Sequence, residues 1–197
     1  MSIKPPGNSA FTLTEIIVVL VIVIVIFLMA RPQIHVGLTR GQMTQVLSNM
    51  KQLNLATQQM ALDGKPTKDT NLGWPGDTGG TFSNWTKLLV PDYLTTNDLC
   101  KLLSAAGKVV PLGTVPTIQD TAVLAYGVSK NSDSHTVFLT TANFTNTPTG
   151  GLPLESSAKP YGNKGFVVFR QGGDGAILLP KQTGDTNIIG TYAPLLR

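Results

Sequence analysis

Residues 11–32 read FTLTEIIVVLVIVIVIFLMARP, and the reading of this stretch decides the rest of the chain. Fifteen apolar residues run unbroken from Ile16 to Ala30, with one acid, Glu15, at their head. From Phe11 to Ala30 a helix would span about 30 Å, one hydrocarbon thickness. Ten of the eleven residues from Ile16 to Ile26 are Val or Ile, a composition that favours a strand in water. In lipid a lone strand leaves its backbone unpaired, so a helix is expected instead.

Three readings compete for the segment. A cleaved secretory signal needs an apolar core of about 7–15 residues and an Ala-x-Ala-like site. Here Leu28-Met29-Ala30 offers a bulky Leu where a small residue belongs, and Glu15 intrudes. A plain transmembrane anchor explains the length and leaves the acid as an accident. An intramembrane carboxylate costs about 2.5–3.5 kcal/mol at the bilayer centre and is a functional position by default.

The third reading takes in the whole pattern. A short leader carrying Lys4 ends in the small residue Ala10, followed by Phe11, three residues, Glu15 and the apolar run. This resembles the cleavage-and-methylation segment of type IV pilins and the related pseudopilins of type II secretion. The family strongly prefers Gly before the scissile bond, and Ala10 departs from it. The resemblance implies processing by a prepilin peptidase between Ala10 and Phe11, with methylation of the new Phe11 amine. It also implies that Glu15 pairs with a neighbouring subunit's Phe11 amine, because buried charges persist when paired. The acid then becomes an assembly residue.

The composition fits such a chain. Of 197 residues, 13% are charged, against roughly 25% in an average soluble domain. The net charge of +4 has no Lys/Arg run, whereas nucleic-acid binding needs a clustered basic stripe; nucleic acid is not an expected partner. One cysteine, Cys100, excludes an intrachain disulfide. It is expected to be a small buried or half-buried residue.

Beyond Arg31, Pro32 is expected to kink the helix, since it cannot donate to the carbonyl of Leu28. The pilin family carries a proline near this place. The same residue could also simply mark the exit from the membrane. A helical stripe resumes with Met43, Val46, Met50, Leu53, Thr57 and Met60 at alternating spacings of three and four. Gly64 and Pro66 are read as its stop. A loop around Trp74-Pro75-Gly76-Asp77 follows, packed through Trp74, then short helices over Asn84–Val90 and Thr95–Ala106, the second capped by Thr95 or Thr96.

After Gly107 the period becomes two. Strands are expected at Lys108–Val110, Ala122–Ser129, Thr136–Thr141, Gly165–Arg170 and Ala176–Pro180, with Gly172–Gly175 as a hairpin turn and Thr140–Ser157 as a surface excursion. The organisation is therefore a leader (1–10), a transmembrane and filament-core helix (11–31), its outer half (32–63), a loop with short helices (64–107) and a sheet region (108–197). The fold class is α+β: a long N-terminal helix, kinked near Pro32, packed on a small antiparallel β-sheet, the ladle that the resemblance also implies.

No catalytic constellation is legible. His35 and His135 lie on different elements, and no nucleophile–base pairing or phosphate loop can be argued. The chain is read as a structural subunit and not an enzyme. No cofactor is expected, apart from calcium, for which Asp174 and Asp185 are weak candidate ligands; turn formation is the plainer role for both. The resemblance implies further partners: other pilin-like subunits, the peptidase, an inner-membrane assembly platform, and lipid before assembly. It places the chain as a single-pass inner-membrane protein, with its C-terminal region outside the cytoplasm and its filament in the periplasm or at the cell surface. Among filament types the lean is to a type II secretion pseudopilin, because many type IV pilins close a C-terminal loop with a disulfide that Cys100 alone cannot form. A major or minor type IV pilin, in adhesion or DNA uptake, is the alternative. A membrane-tethered binding or enzymatic domain is the alternative of another class.

Overall fold

The computed structural model describes residues 12–67, 69 and 71–197; within the long helix the side chains of 29–36 and 67 lie outside that description. Residues 1–10, expected to be a leader, and Phe11 therefore fall outside it. Helix α1 is Leu13–Thr67. The chain divides into two units, Met1–Leu38 and Thr39–Arg197.

In the first unit the side chains of α1 from Ile16 to Leu28 are all apolar, and among the described residues no layer covers them. Every side chain from Ile16 to Leu28 keeps 49–61% of its surface exposed. A helix apolar all round is stable only where something else surrounds it.

In the second unit α1 is amphipathic, as its sequence period requires. Met43, Val46, Met50, Leu53, Thr57 and Met60 are all buried, and Thr44, Gln45, Ser48, Lys51, Gln52 and Gln59 are exposed. The helix runs past the expected stop at Gly64 and Pro66 to Thr67. Gly64 permits the returning chain to lie against that turn: a Cβ there would sit 2.1 Å from the carbonyl oxygen of Leu72.

Two short helices follow, α2 (Phe82–Leu89) and α3 (Thr96–Leu102). Each opens on a threonine cap, Thr81 accepting from the Asn84 amide and Thr95 from the Asp98 amide, which satisfies one orphan donor at each helix start. Trp74, in the loop before α2, is buried edge-on against Phe138, the packing its sequence position suggested.

A four-stranded antiparallel sheet takes the order β1-β2-β5-β6 from β1 (Val123–Ala125), β2 (Val137–Thr141), β5 (Phe166–Arg170) and β6 (Gly175–Leu178). The Gly172–Gly175 hairpin lies as expected between β5 and β6. Every residue of β2 and β5 is buried, so both faces of the central pair are covered and the strands lose the alternation of a half-exposed sheet. The chain end covers the outer edge of β1: Tyr126 bridges Leu195, and Leu196 donates to the Ala125 carbonyl. That is a standard way to blunt a free strand edge.

Two expectations need correction, and one element is new. Lys108–Val110 forms only an isolated bridge, Lys108 to Ala105, because Gly107 at φ +86° folds the chain straight back on itself. The excursion Thr140–Ser157 is partly ordered as a hairpin, β3 (Asn146–Thr147) with β4 (Gly150–Gly151). Phe144 and Phe166 stack at 4.0 Å beneath it, and Gly151 lies so close that a Cβ would meet the Phe144 ring at 1.9 Å. The chain also adds helix α4 (Thr186–Ile189), which β-period reading does not reveal.

Tyr161 ties the sheet region to α1, its hydroxyl donating to the Gln42 carbonyl at 3.1 Å. Burial pushes that hydroxyl's pKa up to about 12, and Tyr126 moves in the same direction for the same reason. The native state therefore holds its phenolic protons where an unfolded tyrosine, with a pKa of about 10, has begun to lose them. Stability is expected to fall as pH rises from about 10 toward 12. Urea midpoints at pH 9 and pH 11 check this: Tyr161→Phe should lose less between the two than the native chain, and parallel losses would refute the assignment.

Candidate functional site

At the head of α1 the sequence Thr12-Leu13-Thr14-Glu15 closes a capping box. The Thr12 backbone amide donates to Glu15 Oε2 at 2.9 Å and the Thr12 hydroxyl to the same oxygen at 3.0 Å. In return, the Glu15 amide donates to Thr12 Oγ1 at 3.3 Å, and Ile16 makes the first helical bond to the Thr12 carbonyl. Two orphan amides are thus satisfied reciprocally, and an acid in the first turn suits the positive end of the helix dipole. Thr12 is the residue that the sequence reading passed over; the T-x-x-E pattern was its signal.

Glu15 is therefore no bare charge within its own chain. Its carboxylate is held by its own helix end, with the uncovered apolar surface of Ile16–Leu28 beginning at the next residue. Ala10 and Phe11, the expected processing and pairing positions, lie outside the described residues. Pro32 lies within the helical assignment of α1, and its side chain is outside those described. Among the described residues no helix is long and apolar enough to cross a membrane. The described part of the unbroken apolar run, Ile16–Leu28, spans about 20 Å of helix, short of about 30 Å of hydrocarbon.

The two calcium candidates are both occupied locally. Asp174 pairs with Arg170, a buried guanidinium that also donates to the carbonyls of Ile188 and Ile189. Asp185 caps α4, its Oδ1 accepting from the amides of Asn187 and Ile188 at 3.1 and 3.3 Å. The pair holds the α4 segment to β5. Among the described residues no three His, Cys, Asp or Glu side chains gather as a metal cluster. His135 contacts the Asn187 carbonyl at 3.0 Å and is a fastening of that same segment. Cys100 is fully buried, with its thiol donating to the Thr114 carbonyl.

No family model matches the chain, and no solved structure matches it. Over 67 residues it is 36% identical to the type IV major fimbrial protein FimA of Dichelobacter nodosus, a match covering 34% of this chain and 43% of that protein. The chain thus spans less than half the length of this curated relative. The similarity supports a type IV pilin-like relationship, and the α+β architecture is compatible with it.

Proposed function

We propose that the chain is a structural subunit of a pilin-like helical filament, assembled through the first part of α1. The observation that carries this is the run Ile16–Leu28, about half exposed on all sides and headed by a carboxylate that its own helix end holds ready. Burying such side chains yields on the order of 1 kcal/mol each, so neighbouring helices, or lipid before assembly, are the natural cover. Processing between Ala10 and Phe11 supplies the amine that Glu15 of a neighbour would meet. The subunit waits in the inner membrane with residues 39–197 outside the cytoplasm, until the assembly platform extracts it.

Mass spectrometry of the mature amino terminus tests this. A chain beginning at N-methylated Phe11 is the expected result. An intact Met1 would instead favour a plain anchor, and a chain beginning at Arg31 a signal peptide.

Two filament types have specific support. The lone Cys100, which leaves no disulfide to close a C-terminal loop, favours a type II secretion pseudopilin. The likeness to a major fimbrial protein favours a surface pilus. Imaging cells for surface filaments that disappear on deletion of this chain separates them.

A further inference from the structure

The second unit begins at Thr39, and a basic rim surrounds that beginning. Tyr161 donates to the Gln42 carbonyl at 3.1 Å, and a Cβ at Gly165 would lie 3.1 Å from Met43 Cε. The chain just before Tyr161 meets the connection from α3 to β1, where a Cβ at Gly107 would lie 3.4 Å from the Pro160 carbonyl oxygen. Strand β6 ends at the same place, the Leu178 carbonyl oxygen lying 2.8 Å from the Cβ position of Gly165. The stretches 40–43, 107–112, 158–165 and 178–181 therefore converge on the first turns of the unit's helix.

Their side chains share a character. Arg40, Lys108, Lys159, Lys164 and Lys181 are basic, and none of these stretches contains an acid. All but the half-buried Lys108 are exposed. Arg40 stands three residues before Met43 and so on the same helix face. The acids nearest in sequence are Glu155, Asp120, close enough to act on the Lys108 charge, and Asp185, which already caps α4. Among the cations stand Val109 and Leu112, 76% and 61% exposed, the two most exposed large apolar residues described in the second unit.

Apolar tips set among cations suit an anionic headgroup layer: the tips enter it, and its surface potential attracts the basic groups within a Debye length. Ten residues, 29–38, separate Leu28 from Thr39, a tether of at most about 40 Å. With Ile16–Leu28 in lipid, as proposed above and as this inference requires, the rim stays within reach of the bilayer surface. We propose that the rim docks on anionic phospholipid before assembly, with Val109 and Leu112 entering the headgroup layer and Arg40, Lys159 and Lys164 on phosphates.

A fluorophore on Asn163→Cys tests this, since Asn163 is an exposed rim position outside the named contacts and Cys100 is buried. The full chain is reconstituted into phosphatidylcholine vesicles with or without one-third phosphatidylglycerol, both containing a lipid with a nitroxide headgroup as quencher. Quenching at least twofold stronger is expected in the anionic vesicles, and the difference should vanish in about 1 M salt, where the screening length falls to about 3 Å. Lys159→Gln combined with Lys164→Gln should remove most of the difference, and Val109→Ser combined with Leu112→Ser at least half. Lys51→Gln combined with Lys87→Gln, exposed positions outside the rim, should leave it unchanged. Circular dichroism confirms that these surface variants remain folded. Equal quenching in the two vesicles, or insensitivity to the rim lysines, overturns the proposal. So does energy transfer between labelled copies that rises in place of quenching, which would mark the rim as a contact between subunits. Chains that fail to float with neutral vesicles overturn the membrane reading of Ile16–Leu28 as well, whereas chains that float without anionic preference overturn the rim alone.

Discussion

Glu15→Ala is expected to reduce filament formation more than tenfold while leaving the 39–197 unit folded. Among the described residues the core of that unit is built from side chains between Met43 and Leu196. Membrane insertion should be unimpaired or easier, since an acid in the hydrocarbon is a cost. Alanine, however, removes two things together: the carboxylate charge and the capping box with Thr12. Loss of a helix cap alone costs about 0.5–2 kcal/mol. Glu15→Gln separates the two, because glutamine at this position can still complete the box and carries no charge. If charge pairing with a neighbour's Phe11 amine drives assembly, Glu15→Gln fails as Glu15→Ala does. Normal filaments from Glu15→Gln would show that the cap suffices, and the pairing idea would fall. Electron microscopy of sheared or detergent-released filaments reads both variants directly.

Trp85→Ala should be among the most destabilising single changes in the second unit, at about 3–5 kcal/mol. Trp85 is 1% exposed. Its ring meets Phe82 and Phe138 edge-on at 5.7 and 5.8 Å, and its indole N–H donates to Thr57 Oγ1 at 3.1 Å. One side chain thus fastens α2 to α1 and to β2. Thr57 would not be orphaned by the change, since its hydroxyl still donates to the Leu53 carbonyl at 2.9 Å. The penalty is therefore the cavity and the lost aromatic contacts. A fall in the melting temperature of about 10 °C or more is expected for a unit of this size. Trp85→Phe, which keeps most of the ring and loses the N–H, should cost far less. A melting temperature for Trp85→Ala within two or three degrees of the native chain would show that the ring does not carry this junction.

Much of this architecture was legible in the sequence, wherever the signal was local and periodic. The stripe from Met43 to Met60 obeys helical spacing and is buried at every member. The threonine cap of α3, which is Thr95 of the two candidates, and the Gly172–Gly175 hairpin follow from residue chemistry at fixed offsets. The β3–β4 hairpin was not legible, because Asn146–Gly151 is polar and held from outside: the Asn146 amide donates to the Tyr126 hydroxyl and the Gly151 amide to the Thr183 carbonyl. Helix α4 escaped for the same reason, four residues kept in place by the distant Arg170. At the candidate site, Glu15 stood out as an acid before an apolar run, yet its first partner is Thr12, three residues back. The preference for a distant, intersubunit partner hid a local one.

The burial of Cys100 gives the folded protein a silent thiol. It is the one cysteine in the chain, it has no solvent exposure, and thiol reagents reach only what is exposed. Native chains can therefore carry a single engineered cysteine at an outward position such as Leu112 and be labelled with a fluorophore at that site alone. The same property makes the wild-type thiol a clock: its alkylation reports each opening of the second unit.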